Sequence, residues 1–181
     1  MQKLALFLAV MIVPTLSMAA IEKPTDGTFK VYDDQGALSR EENYVNKSLE
    51  GDIKEYFPSG ALKAVTRYEH GKREGVARTY FANGALESEA TYKNNDLNGL
   101  VVRYFDSGEV DSEAYYVNGN LNGTMKQYYK SNQLKRTSTY VDGVLNGTAV
   151  NYDETGKVSS QEEYRNGEMT NRLIPEAVVA K

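Results

Sequence analysis

The chain contains no cysteine and no tryptophan, and it has a single histidine. Without cysteine it cannot form disulfides, use a thiolate nucleophile, hold zinc through sulfur or carry a lipid on an N-terminal cysteine. Its Lys and Arg residues are scattered among acidic ones, at a net charge of −4. This pattern argues against nucleic-acid binding, which needs clustered basic residues. Helical periodicity of the apolar residues is also lacking.

The longest apolar run lies at the N-terminus. A weakly basic start is followed by apolar residues 4–16 and by Ser17-Met18-Ala19, ahead of a plausible cut before Ala20. This three-part pattern predicts a signal peptide over residues 1–19 and export to the periplasm or the extracellular space. A retained membrane anchor is the alternative, but the run is shorter than the ~20 residues that span a bilayer. We expect no further membrane association, because the chain is acidic and has no basic patch.

Tyrosine recurs every twelve residues from Tyr32 to Tyr164. This spacing is half of a 24-residue unit with Gly at position 1 and Tyr at positions 6 and 18. Such a fixed period is typical of repeat proteins, whose units bury their apolar faces against their neighbours. Residues 20–26 are interpreted as a linker and 171–181 as a C-terminal cap or tail. The six units are 27–50, 51–74, 75–98, 99–122, 123–146 and 147–170.

Each unit carries two turn signals. The first lies around positions 8–11, as in Ala82-Asn83-Gly84, and the second at positions 20 and 21, as in Asn118-Gly119. Asn-Gly pairs tolerate the positive φ angles of type I′ hairpin turns. The runs between turns are rich in Tyr, Phe, Val and Thr, as strands are. The pattern predicts an all-β fold: an elongated, single-layer antiparallel ribbon of six β-hairpins.

Counting outward from the turns predicts the register of the strands. Position 1 would lie opposite 18, 3 opposite 16, 7 opposite 12, 18 opposite 23, and 16 opposite the next unit's glycine. One face would then carry positions 23, 1, 3, 7, 12, 16 and 18, and the other positions 2, 4, 6, 13, 15 and 17. The glycine would leave a slot for the tyrosine ring opposite it, so that Gly99→Val would crowd Tyr116. The predicted structural residues are Gly51, Gly75, Gly99, Gly123, Gly147, Tyr68, Tyr92, Tyr116 and Tyr140.

The end units differ from the middle ones at position 7. Interior units have an aromatic residue there, whereas the first and sixth have Asp33 and Asp153. Polar terminal repeats are what a repeat array needs to stay soluble. Open strand edges at the two ends would still allow end-to-end association of copies.

The unit G-x-x-x-x-Y-[FY]-x-x-G-x-[LV]-x-x-x-x-x-Y-x-[ND]-G-x-L-[NE] resembles the MORN repeat in its bacterial variant form. The resemblance covers residues 27–170. It implies a single-layer antiparallel ribbon that serves as a scaffold or binding surface without catalytic residues. Members are often labelled YwqK-type antitoxins, which implies an alternative function: inhibition of a toxin partner in the cytoplasm. The export signal opposes that alternative.

No set of side chains predicts catalysis or a cofactor. His70 occupies the turn column, and the acidic residues at positions 13 and 15 (Glu87, Glu89, Asp111 and Glu113) are predicted to be a solvated polar face. The Asn94-Asn95-Asp96 segment lacks the recurring acidic column that a calcium site would need. We therefore predict a protein that is not an enzyme and that holds no metal and no cofactor.

The candidate binding residues are tyrosines at position 6 of the unit, here called the tyrosine ladder. Tyrosine combines a large contact area with a hydrogen-bonding tip and is enriched at recognition sites. We expect a protein, a glycan or an envelope component as the partner. The tyrosine ladder consists of Tyr56, Tyr80, Tyr104 and Tyr128.

Overall fold

The computed structural model describes residues 25–175, which form fifteen antiparallel strands in one sheet. Within this range no helix is long and apolar enough to cross a membrane. The predicted signal peptide, residues 20–24 of the predicted linker and the end of the predicted tail lie outside the described residues. The all-β prediction is confirmed.

The strands follow one another in chain order across the sheet, apart from the short β3 and β10, which pair with β2 and β9. They are β1 (Gly27–Tyr32), β2 (Leu38–Val45), β3 (Ser48–Leu49), β4 (Gly51–Tyr56), β5 (Leu62–Glu69), β6 (Lys72–Tyr80), β7 (Leu86–Lys93), β8 (Asp96–Tyr104), β9 (Val110–Val117), β10 (Asn120–Leu121), β11 (Gly123–Tyr128), β12 (Leu134–Val141), β13 (Val144–Tyr152), β14 (Val158–Arg165) and β15 (Glu168–Leu173).

The second turn of every unit has positive φ at both central residues, as type I′ geometry requires. His70 takes one of these positions with a φ of 51°. The Asn and Asp residues at the same position in the other units have φ between 48° and 52°. The turns are also bonded to one another. The Gly119 nitrogen donates to the Leu97 carbonyl at 2.8 Å, and the Asn94 nitrogen donates to the Glu74 carboxylate at 2.8 Å. Bonds of these two kinds join the second turns of successive units into a row at one end of the strands, here called the turn stack.

The turn stack begins before the first unit. The Lys47 nitrogen donates to the Thr25 carbonyl at 2.7 Å, and the Asn46 nitrogen donates to the Asp26 carboxylate at 2.8 Å. Thr25 and Asp26 therefore occupy the places that positions 23 and 24 occupy in later units, although the sequence interpretation assigned them to the linker.

The first turn carries a bulge that corrects the predicted register. Tyr80 pairs with Leu86, while the preceding Thr79 pairs with Ser88, so Glu87 is an extra residue on the returning strand. All six units show this shift. Position 12 therefore lies opposite position 6 and not opposite position 7, and that part of the prediction is wrong. An extra residue is the defining feature of a β-bulge, which counting from a turn centre ignores.

The central register of each hairpin is confirmed. Gly99 pairs with Tyr116 and Val101 with Ala114, as positions 1 with 18 and 3 with 16. Position 18 also pairs with position 23, as predicted.

The pairing between successive units departs from the prediction. Ala90, at position 16, pairs with Val101, two residues beyond the glycine that was predicted to face it. The reason is a second irregularity, in which the single residue Thr91 lies opposite the three residues 98–100. The two extra residues shift the pairing by two.

The glycine at position 1 has positive φ in every unit, which is the backbone region that L-residues rarely adopt. At Gly99, where φ is +132°, an added Cβ would lie 3.1 Å from the Thr91 Cβ, and its three nearest neighbours would all be Thr91 atoms. At Gly123 it would meet nothing within 4 Å. The glycines are thus explained by backbone conformation, and the predicted slot for the opposing tyrosine ring is not what the structure shows.

The most buried side chains lie at positions 3, 14 and 16, with one tyrosine at position 18. In the middle of the sheet they are small or apolar, whereas at the ends two carboxylates are buried. The Tyr44 hydroxyl donates to the Glu42 carboxylate at 2.6 Å, and Arg136 donates to Glu162 at 3.1 Å. The buried residues are Glu42, Tyr44, Ile53, Ala90, Val101, Ser112, Ala114, Ser138, Ala149, Ser160 and Glu162.

Candidate binding surface

The four tyrosines of the tyrosine ladder are all half-buried, but they differ in what their hydroxyls bind. The Tyr56 hydroxyl donates to the Glu41 carboxylate at 2.8 Å, and the Tyr128 hydroxyl donates to the Glu113 carboxylate at 3.1 Å. Each acceptor lies at position 15 of the preceding unit. Burial first, and then the carboxylate, raises the pKa of both tyrosines. These two hydroxyls are occupied within the fold.

The two middle tyrosines have no such acceptor. Position 15 of the preceding unit is Val65 in the case of Tyr80. For Tyr104 it is Glu89, which is engaged by the Arg78 guanidinium at 2.7 Å. Within residues 25–175 the hydroxyls of Tyr80 and Tyr104 donate to no group, so they are available to a ligand.

Two adjoining cavities, each of about 400 Å³, lie beside these middle tyrosines. Tyr80 lines one and Tyr104 lines the other. Both cavities are lined by Thr79, Phe81 and Glu87, so they adjoin each other at these three residues. We call this surface the aromatic groove. Its complete lining is Glu55, Phe57, Lys63, Ala64, Thr79, Tyr80, Phe81, Ala82, Glu87, Ser88, Arg103, Tyr104 and Asp111.

The lining corrects the predicted faces of the sheet. Glu87 and Asp111, both at position 13, were assigned to the face opposite Phe81, but all three line one cavity. The bulge at position 13 accounts for this, because an extra residue interrupts the strict alternation of side chains. Sequence reasoning missed these acidic residues as members of the site, and the Gly at position 10 was the available signal for an irregular turn.

Within residues 25–175, two charged side chains of the groove lack the partners that several charged residues elsewhere on the sheet have. Lys30 and Glu41 form an ion pair at 3.0 Å, and Arg78 pairs with Glu89. In the groove, by contrast, Glu87 and Arg103 form no ion pair or hydrogen bond with any other described side chain. The groove therefore presents charges of both signs that form no ion pair with the described residues, beside aromatic rings.

The predicted structural tyrosines are half-buried and pair with the glycines at position 1. One of them has an additional partner. The Arg73 guanidinium lies 4.3 Å from the centroid of the Tyr92 ring, which is close enough for a cation–π contact. Arg73 stands at position 23, where most units have leucine, so this contact depends on a residue particular to the second unit.

The histidine lies in an exposed turn beside one carboxylate. The His70 side chain is 93% exposed, and its Nδ1 lies 3.4 Å from the Glu50 carboxylate. The hydrogen bond from the His70 backbone nitrogen is the main cause of a lowered pKa at Glu50. Among residues 25–175 no group of three or more His, Asp or Glu side chains is arranged to hold a metal ion.

The fold and its surface define a class: a repeat protein built from β-hairpins in a single antiparallel sheet. A family model described as the MORN repeat variant matches residues 25–46, 73–94, 97–118, 121–142 and 145–166, together more than half of the chain. The chain belongs to the MORN repeat variant family. Each match begins at position 23 of the unit and ends in the second turn, so it contains one complete hairpin loop.

Other comparisons add little. No curated protein matches the chain. One similar solved structure is a porin-like protein from Bacteroides uniformis, at 9% identity, with 82% of this chain and 90% of that chain covered and a TM-score of 0.25. A likeness this weak carries no argument about fold or function.

Proposed function

We propose that the protein is an exported, non-enzymatic repeat scaffold that binds a protein, glycan or envelope component through the surface around Tyr80 and Tyr104. The observation that carries this proposal is the contrast within the tyrosine ladder. The outer hydroxyls of Tyr56 and Tyr128 are bonded to carboxylates, whereas the middle two line cavities and donate to no described group. A surface of half-buried rings with unused donors is suited to recognition.

The test is affinity capture from envelope extracts with the mature protein. A Tyr80→Ala/Tyr104→Ala double variant is expected to lose the captured partner, while the Leu100→Ala/Tyr115→Ala control keeps it. Leu100 and Tyr115 are 50% and 51% exposed and do not line the aromatic groove, so the control removes similar apolar area elsewhere. Equal capture by both variants, with unchanged circular dichroism, would remove this surface from consideration.

Export is tested separately by fractionation and N-terminal sequencing. Export predicts a mature protein that starts at Ala20 and is recovered outside the cytoplasm. A full-length cytoplasmic protein would contradict export and would favour the antitoxin-like alternative.

A further inference from the structure

The aromatic groove repeats with the period of the fold. One cavity lies between Phe57 and Phe81, and the adjoining one lies between Phe81 and Tyr104. Side chains of successive rings thus form ridges, with a depression between each pair. A ligand that fills both depressions must be long and narrow, and it must present a group to each of them at the same interval.

The interval follows from the sheet. Equivalent residues of successive units lie two strands apart, which is about 9.6 Å at the usual strand spacing. A polyproline II helix repeats every three residues, or about 9.3 Å. An α-helix advances about 5.4 Å per turn, and a β-strand presents alternate side chains about 6.7 Å apart. Among regular polypeptide conformations, polyproline II matches the groove.

The hydrogen-bonding groups of the groove fit the same conformation. A polyproline II backbone forms no internal hydrogen bonds, so its carbonyls need external donors, and its prolines bring no N–H. Tyr80 and Tyr104 supply hydroxyl donors, and Arg103 supplies a guanidinium, none of which is used within residues 25–175. Glu87 lies where the two cavities meet and can accept from a basic side chain or an N–H of the ligand.

From these matches we infer that the aromatic groove binds a proline-rich polypeptide segment in the polyproline II conformation, with one three-residue turn per 24-residue unit. Prolines occupy the depressions between the rings, as they do in other aromatic-lined grooves. This inference names the ligand class of the surface proposed above and rests on that proposal.

The test uses synthetic peptides and the mature protein. Peptides with proline at every third position are titrated by calorimetry and by NMR, in lengths of one, two and three turns. Because the groove has two depressions, affinity is expected to rise from one turn to two and then to level off. A peptide with proline at every fourth position, which breaks the interval, is expected to bind about tenfold more weakly, as one lost depression would cause.

Two variants locate the binding site. Phe81→Ala removes the ridge common to both cavities and is expected to weaken binding at least about tenfold, whereas the Leu100→Ala control leaves it unchanged. In case Phe81→Ala unfolds, Tyr104→Phe removes only a donor and is expected to weaken binding about fivefold.

Three results would overturn the inference: equal affinity for three- and four-residue spacing, unchanged binding by folded Phe81→Ala and Tyr104→Phe variants, or binding of β-linked oligosaccharides without binding of proline peptides. If capture from envelope extracts still depends on Tyr80 and Tyr104 while no proline peptide binds, the proposed function stands and the ligand class is wrong.

Discussion

The five junctions between units and the junction after the last unit are built differently. At each of the five, the pairing shifts by two residues around the glycine at position 1. After the sixth unit the corresponding residue is Asn171, which does not have positive φ. There the shift is one residue, so Arg172 faces Glu162, and Leu173 faces Gln161.

The difference shows what the glycine does. Position 3 carries Ile53, Val101 and Ala149 in three of the units, and all three are buried. Leu173 holds the same place in the count, but the smaller shift puts it opposite Gln161 and so on the other face of the sheet, in an edge strand whose residues are all exposed. The two-residue shift around the glycine therefore keeps position 3 on the same face of the sheet as position 16 of the preceding unit.

The end units also replace packing by polar contacts. The Asp153 carboxylate accepts hydrogen bonds from the Thr155 hydroxyl at 2.6 Å and from the Thr155 and Lys157 nitrogens at 2.9 and 3.0 Å. The bond from the hydroxyl first, and then those from the nitrogens, lower the pKa of Asp153. Asp33 accepts equivalent bonds in the first unit. Aspartate at position 7 thus closes its own turn, in the place where interior units put an aromatic ring.

Gly99→Val is expected to give the largest effect. A β-branched residue would have to adopt a φ of +132° and would press on Thr91, so we expect a loss of about 3 kcal/mol in the free energy of unfolding. Urea denaturation measures it. Gly123→Ala, where the added Cβ meets open space, isolates the cost of the backbone and is expected to lose about 1–2 kcal/mol. Equal stability of Gly99→Val and the natural protein would contradict this account of the junction.

Tyr56→Phe is expected to cost about 1 kcal/mol, because it removes one of the two hydrogen-bond donors to the Glu41 carboxylate and leaves only Lys30. Tyr104→Phe is the matched control and is expected to change stability by less than about 0.5 kcal/mol. Thermal unfolding of the two variants compares an end of the tyrosine ladder with its middle. A control as destabilised as Tyr56→Phe would show that the ring environment, rather than the hydroxyl, sets the cost.

The acid dependence of stability should change with the same bond. The hydrogen bond from Tyr56 is the first cause, and that from Lys30 the second, of the lowered pKa of Glu41. Because this pKa is lower in the folded state, the bond contributes stability above the ordinary carboxyl pKa and loses it as pH falls through the lowered value. Tyr56→Phe should therefore lose less stability than the natural protein between neutral and acidic pH. Parallel pH profiles would refute this.

Asn171→Gly is expected to change stability least, by less than about 1 kcal/mol, since glycine also adds flexibility to the unfolded chain. Its effect should instead be on register. If glycine alone sets the shift, cross-strand NMR contacts should move from Gln161–Leu173 to Glu162–Leu173. Persistence of the original contacts would show that the Arg172–Glu162 pair, at 3.7 Å, holds the end in place.

The sequence was sufficient for the hairpins but not for their irregularities. Type I′ turns follow from Asn-Gly and Asp-Gly pairs, and the pairing of Gly99 with Tyr116 follows from counting between turns. Bulges break such counting, and the aromatic groove was missed because the bulge at position 13 was not foreseen. The glycine at position 1 was interpreted as a missing side chain, whereas in the structure it supplies a positive φ. The residue at position 15 of the preceding unit separates Tyr80, beside Val65, from Tyr56 and Tyr128, but it does not separate Tyr104, because Glu89 is a carboxylate like their acceptors.

Because the turn stack repeats once per unit, the protein can change in length by whole units. Each second turn donates to the carbonyl two residues after the turn before it, as Gly119 does to Leu97 and Gly143 to Leu121. Removing or duplicating one whole unit leaves every turn nitrogen with an acceptor of the same kind. Gaining or losing a fraction of a unit leaves a backbone nitrogen without its acceptor. The array can therefore grow or shrink in steps of two strands without redesigning its ends.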